Sequence, residues 1–315
     1  LKKKYMYFRY MDDIRIVCTD VFHARKALKD LVIELRKKGL NVNSQKSYIL
    51  TNKDSKISEF IKRPNRLIEQ IDVLWKSKKI SNVQMTLPQI KTLTLKLIKN
   101  KKTQDREFRF CIGRLEKIAL CKEIKRAFDF SKITNSMIKE LLHQPFSSDK
   151  LIRYLKCVDL TKYQLKRISP IIIDESKSIY SWQCYHLWQL FVFHKFVDKR
   201  LISHAKNIIS LGNKYPSPSI AGAILYLGSC GLPKDRIYVA RKFRKFKSYL
   251  VQRNAMIATH ELDYEQFIKP QIKSYVINEL AGTYSRVRES CYGKYFTPLA
   301  PIPVSELFRD LTQYD

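Results

Sequence analysis

Tyr5-Met6-Tyr7-Phe8-Arg9-Tyr10-Met11-Asp12-Asp13-Ile14-Arg15-Ile16-Val17-Cys18 is the stretch on which the reading of the fold turns. Aromatic and β-branched runs flank Tyr10-Met11-Asp12-Asp13, and this pattern predicts a β-hairpin with two adjacent acids at its tip. A short connection held by a sheet aims its side chains, which is why function concentrates there. Adjacent carboxylates repel each other, so a positioned pair calls for a hard divalent cation that offsets the charge. A pair of Mg²⁺ ions held in this way clamps the attacking and leaving oxygens of an in-line phosphoryl displacement. For the four central residues alone, an ordinary hairpin with an Asp-Asp turn is the competing explanation.

With its flanks, Phe8-Arg9-Tyr10-Met11-Asp12-Asp13-Ile14-Arg15-Ile16 resembles the Tyr-x-Asp-Asp catalytic motif of reverse transcriptases. It looks most like the bacterial members, including those of abortive infection and anti-phage defence. The resemblance implies a polymerase palm in which Asp12 is the main metal ligand of this segment and Asp13 a supporting one. The implied cofactor is Mg²⁺, or Mn²⁺ in its place, and the implied substrates are deoxynucleoside triphosphates. Tyr10 and Met11 would line the primer end. Gly39-Leu40-Asn41-Val42-Asn43-Ser44-Gln45-Lys46-Ser47 is similar to the fourth palm motif of the family, in which a Lys follows an Asn by three residues. That implies a place for Lys46 near the triphosphate, where an ammonium neutralises charge or protonates the leaving pyrophosphate. One more surface lysine among dozens is the plain alternative.

The resemblance also sets limits. The hairpin that grips the primer end in the family has no clear signature between Thr51 and Ile80, and Glu59-Phe60-Ile61-Lys62-Arg63 is its nearest candidate. The third catalytic Asp of the family lies on an earlier palm strand, beside the fingers. Because the sequence opens at Leu1 already inside a strand, it is expected to be the C-terminal portion of a longer enzyme, inactive as a polymerase when taken alone.

Composition agrees with a polyanionic partner. Lys and Arg total 60 against 29 acids in 315 residues, a net charge of +31, far beyond what solubility requires. RNA, DNA or both are the expected partners. A membrane surface competes on charge alone, but no long apolar span or lipidation signal is read. Hydrophobic residues make up 45%, and 8 Gly are too few for an all-β or linker-rich chain. Cysteines 18, 111, 121, 157, 184, 230 and 291 are scattered and never spaced as Cys-x-x-Cys. This disfavours structural zinc or a disulfide framework and fits a reducing bacterial cytoplasm. No signal-peptide pattern is read.

Along the chain, Val21 to Lys38 reads as an amphipathic helix with Ala24, Ala27, Leu28, Leu31 and Leu35 on one face, closed by Lys37-Lys38-Gly39. Leu40 to Leu50 is expected to return as a turn and a strand. Leu87 to Phe130 reads as two or three helices. Pro88 is expected in a first turn; Ile90, Leu93, Leu97 and Ile98 line one apolar face, and Phe108, Ile112, Leu115 and Ile118 the next. Around them lie Lys91, Lys96, Lys99, Lys101, Lys102, Arg106, Arg109, Arg114, Lys117 and Lys122. A basic helical segment after a palm resembles a polymerase thumb, whose charge supplies affinity and not sequence choice. A solvated lysine-rich face is the alternative.

From Ser131 onward helices are expected over 133–143, 148–157, 162–173, 182–196, 201–211, 219–230, 234–247, 250–260 and 264–280. Breaks fall at Pro145, Pro170, Gly212, Pro216, Pro218, Gly231-Leu232-Pro233 and Pro270, the last a break or a kink in its helix. Small residues Ala221, Gly222 and Ala223 at a packing point suggest an α-solenoid, and Ser219 to Gly228 looks like a HEAT-type repeat helix. Arg236 to Tyr249 interleaves Arg241, Lys242, Arg244 and Lys245 with Tyr238, Phe243, Phe246 and Tyr249. Such a run could stack bases and follow phosphates, although aromatics at helical spacing also make core. His186 and His194 read as packed beside Trp182 and Trp188. Thr297 to Pro303 reads as an extended strap.

The expected fold is an α+β palm remnant over residues 1–80, a helical thumb over 81–130 and an α-helical, HEAT-like repeat domain over 131–315. The expected function is that of the C-terminal portion of an RNA-directed or untemplated DNA polymerase in anti-phage defence. Two alternatives stay open: a catalytically incomplete nucleic-acid-binding helical scaffold, or an oligomerisation module that assembles a homo-oligomer through the helical domain.

Overall fold

The computed structural model describes residues 5–10, 13–42, 47–51, 66–174, 176–177, 180–262, 266–267, 296 and 299–309, without the side chains of Tyr10, Asp13 and Asn213. The chain divides into two compact units, Leu1–Glu69 and Gln70–Asp315.

In the first unit β1 (Met6–Tyr10) and β2 (Asp13–Val17) form an antiparallel two-stranded sheet with Tyr7 opposite Ile16 and Tyr10 opposite Asp13. Period-two alternation decides its faces. Tyr7, Ile14 and Ile16 are half-buried on one side, while Met6, Phe8 and Val17 stand exposed on the other. Helix α1 (Val21–Arg36) packs on β2 and buries Ala27 and Leu31. Asp20 caps its start by accepting the His23 amide at 2.8 Å. Its end is a Schellman turn: Leu40 N–H donates to Leu35 at 2.9 Å, Gly39 N–H donates to Arg36 at 3.0 Å, and Gly39 takes φ +70°. The hydroxyl of Tyr5 donates to Asp30 at 2.8 Å and ties the hairpin to this helix.

The strand expected over 40–50 does not form among the described residues: 40–42 and 47–51 carry no sheet pairing. Pairing needs an adjacent strand edge, and polar Asn41, Asn43, Ser44 and Gln45 interrupt the alternation that would bury one face of this segment. The stretch between Thr51 and Ile80, where the primer-gripping hairpin has no clear signature, contains α2 (Arg66–Lys76), which buries Ile71 and Trp75; the division between the units falls within it. Glu59 to Arg63 lie outside the described residues.

The second unit is helical. Helices α3 (Ile80–Lys99), α4 (Arg106–Leu120), α5 (Lys122–Lys125), α6 (Ser131–His143), α7 (Ser148–Cys157), α8 (Lys162–Ile168) and α9 (Pro170–Ile173) lead to α10 (Ser181–Phe193). Then follow α11 (Lys199–Leu211), α12 (Ser217–Cys230), α13 (Pro233–Lys242), α14 (Tyr249–Ala258) and α15 (Val304–Leu307). Helices α4, α7, α10, α12 and α14 form a row, each packed on the next. Helix α3 leans on α4 and α6, α6 on α7, while α11 and α13 cover α12. Packing thus runs without a break through residue 130. The apolar faces read from sequence are core: Ile90, Leu93, Leu97, Phe108, Ile112, Leu115 and Ile118 are all buried.

Pro88 does not start a helix. It sits inside α3, where its missing N–H leaves the Gln84 carbonyl without the usual intrahelical donor. Pro170 does break the helix expected over 162–173, and Thr161 and Gln164 form a capping box on the first half, α8. Residues 299–309 form a strap: Ile302 bridges in parallel to Cys121, its N–H donating to Leu120 at 3.1 Å, and Leu307 is fully buried. Among the described residues no helix is long and apolar enough to cross a membrane.

Candidate catalytic hairpin and nucleic-acid interface

In the register of the first hairpin Tyr10 pairs with Asp13, the first residue of β2. The side chains of Tyr10 and Asp13 and the whole of Met11 and Asp12 lie outside the described residues, as does Lys46 with its neighbours Asn43 to Gln45. Carboxylate oxygens on consecutive residues are donors of the kind that Mg²⁺ or Mn²⁺ takes, so the donor chemistry fits the implied ion. Among the described residues no group of three or more His, Cys, Asp or Glu is arranged to hold a metal.

The cations expected to meet nucleic acid fall into two sets. Lys91 is engaged with Asp129 at 2.9 Å and lies 6.0 Å from the Phe128 ring centroid. Lys101 reaches both carboxylate oxygens of Glu140 at 2.8 Å. Both are therefore partly neutralised. Lys99, Lys102, Arg106 and Arg109 are exposed along the end of α3, the following turn and the start of α4. Arg114, counted by its sequence position among the surface cations, is buried at 1% exposure. It pairs with Asp72 at 2.5 Å and lies against the Phe110 ring at 3.4 Å.

The second set surrounds the end of α13. Arg241, Arg244 and Lys245 are exposed, and Lys242 lies 5.6 Å from the Tyr238 ring. Phe243 and Phe246 of the same run are core, so of the interleaved aromatics read as a stacking surface these two face inward. Tyr249 alone among the last three is strongly exposed. The two sets are not brought together, because α7, α10 and α12 intervene in the row between α4 and the neighbourhood of α13.

No family model, no curated protein and no solved structure matches this chain.

Sequence reading missed one group. Trp188 is buried, and the histidine ring stacked on it, 6.4 Å away, is that of His204 and not of His186 or His194; Trp182 is 57% exposed, with Tyr180 and Phe146 exposed nearby. His194 is half-buried, 2.9 Å from the Leu155 carbonyl, and burial lowers its pKa, as it does for His186. The sequence carried no signal for them: Phe146 and Trp182 each stand within a residue or two of a helix start, and α10 is apolar on almost every side.

Proposed function

We propose that this chain is the palm, thumb and helical-repeat portion of a bacterial reverse transcriptase of the abortive-infection or anti-phage defence type. The observation that carries the reading is the antiparallel register of β1 and β2, in which Tyr10 pairs with Asp13, the residue after Asp12 in the sequence, with α1 packed on β2. The consecutive packing of α7, α10, α12 and α14 supports a HEAT-like solenoid after the thumb. The surplus of 60 basic over 29 acidic residues supports a nucleic-acid substrate.

In this reading Asp12 and Asp13 hold Mg²⁺, which supplies positive charge to the phosphates of a deoxynucleoside triphosphate. The hairpin keeps the acids in one place and so lowers the cost of bringing their charges together. Tyr10 and Met11 lie against the primer end, and Lys46 offsets charge at the triphosphate. The exposed cations of α3 and α4 hold the backbone of the product duplex. The family draws its third carboxylate from an earlier strand, so synthesis is expected of a protein that includes that strand and the fingers.

The test is incorporation of each labelled deoxynucleotide by such a protein with Mg²⁺, with and without RNA, beside an Asp12→Ala/Asp13→Ala variant. Incorporation that the double substitution abolishes supports the polymerase, and its dependence on RNA shows whether a template directs it. No incorporation under any of these conditions overturns the reading and leaves a nucleic-acid-binding scaffold.

A further inference from the structure

The helical unit turns several aromatic rings to solvent in one place. Phe146, in the turn before α7, is 76% exposed, and Tyr180, just before α10, is 41% exposed. Their rings meet edge to face with centroids 5.2 Å apart. Trp182, in the first turn of α10, is 57% exposed and lies edge-on to Tyr185 at 5.6 Å. Nothing in the fold requires these rings to be exposed. Exposed aromatic rings grouped in this way mark a surface that meets a partner.

The surroundings of the rings are cationic. Lys150 donates to Gln104 Oε1 at 2.9 Å, and Gln104 donates to the hydroxyl of Ser147, the residue after Phe146, at 2.6 Å. Desolvation holds the Lys150 pKa below the usual lysine value; Asp149 opposes this, and the guanidinium groups of Arg109 and Arg153 add to it. Three cations from α4 and α7 thus share one neighbourhood. Further along the seam between α7 and α10, Lys156 donates to the amide oxygen of Gln189 at 3.2 Å, near His186. Asp149 faces Lys150, Glu116 pairs with Arg153 at 2.5 Å, and Glu140, bonded to Gln144, is engaged by Lys101 at 2.8 Å.

We propose that Phe146, Tyr180 and Trp182, bordered by Arg109, Lys150 and Arg153, form a binding surface for single-stranded nucleic acid. Rings in this setting offer faces and edges on which unpaired bases stack, while the cations follow the phosphates. A duplex keeps its bases stacked internally and offers these rings only its backbone. An acidic protein surface would satisfy the cations but gives no reason for three aromatic side chains in place of aliphatic ones. The surface lies within the helical unit and does not depend on the polymerase reading.

The test uses the 315-residue chain without Mg²⁺ or nucleotide, and a fluorescein-labelled oligothymidylate beside a duplex of the same length. Replacing Phe146, Tyr180 and Trp182 together by Ala should weaken oligothymidylate binding by about ten- to a hundredfold. Duplex binding and the thermal midpoint should stay as in the parent. Of the three Trp residues, Trp75 and Trp188 are fully buried, so quenching of the solvent-exposed tryptophan emission reports Trp182. Oligothymidylate should quench it and duplex should not; Trp182→Phe should lose the signal and keep most of the affinity. The proposal is overturned if the triple variant binds as the parent does, if bound oligothymidylate leaves the Trp182 emission unchanged, or if no oligonucleotide binds. In the last case an acidic protein becomes the partner to seek.

Discussion

Gly222 of α12 passes so close to Trp188 of α10 that a β-carbon on the glycine would lie 2.6 Å from the indole Cδ1. Further along α12, a β-carbon on Gly228 would lie 2.6 Å from Cα of Ala258 in α14. The two glycines let one helix sit tightly between its neighbours in the row. Gly222→Ala and Gly228→Ala are each expected to destabilise the helical unit by about 1–3 kcal/mol through overpacking. Gly228→Ala should be the worse, because it meets backbone and not a side chain that can turn. Denaturant midpoints check this; unchanged midpoints would mean that the helices separate at little cost.

Arg114 is the largest charged side chain in the core, with Asp72 as its ion-pair partner and the rings of Phe110 and Trp75 against its guanidinium. Asp72→Ala leaves that cation buried without its carboxylate and is expected to cost about 3 kcal/mol or more. Arg114→Met removes the buried charge as well and should cost less. Urea melts of the two variants and of the pair together decide it; a larger loss in Arg114→Met would assign the stability to the ring contacts.

Burial holds the Lys156 pKa down to about 8. In the unfolded chain a lysine titrates near 10.4, so between these values the unfolded state binds the extra proton and stability rises with pH. Below about 8 the penalty is present in full, as much as about 3 kcal/mol. The thiols of Cys111 and Cys157, pushed up to about 12 by burial, act in the opposite sense, losing stability as pH rises above about 8.5. The lysine is therefore read as a difference. Lys156→Met should be more stable than the parent at pH 7, and the advantage should disappear by about pH 10.5. An advantage independent of pH would mean that the gain comes from packing alone.

Gly39 holds the Schellman turn after α1 at φ +70° with open space where a β-carbon would go. Gly39→Ala should then cost about 1 kcal/mol of backbone strain and nothing from crowding, and Gly39→Asn less, since Asn tolerates the left-handed region. Hydrogen exchange of the α1 amides measures the loss. Equal protection in all three proteins would show that the turn does not limit the stability of the helix.

Periodicity carried much of the helical architecture. Helix α7 begins and ends where its apolar spacing and flanking Pro145 place it, and Gly39 marked the turn that closes α1. What failed had physical causes. Pro88 looked like a helix start because local chemistry favours it there, yet burial of Val83, Leu87, Ile90 and Leu97 along one face holds the helix through it. Arg114 looked like surface because only the folded chain brings Asp72, Phe110 and Trp75 around it. The exposed rings of Phe146 and Trp182 were illegible for the converse reason, since an aromatic near a helix start carries no mark of which way it will point. The two strands around the acid pair were legible from their alternation, and they pair as antiparallel β1 and β2.

The pairing of Ile302 with Cys121 joins two points far apart in the chain, whereas the row of helices is built almost wholly from near neighbours. A ribosome making this protein would release α4, then α7, α10, α12 and α14, each able to settle on the one before. The strap emerges after all of them and returns to the end of α4. Closing so long a loop is slow and follows the local contacts, so the strap is a late clasp that seals the oldest part of the row once the youngest is in place.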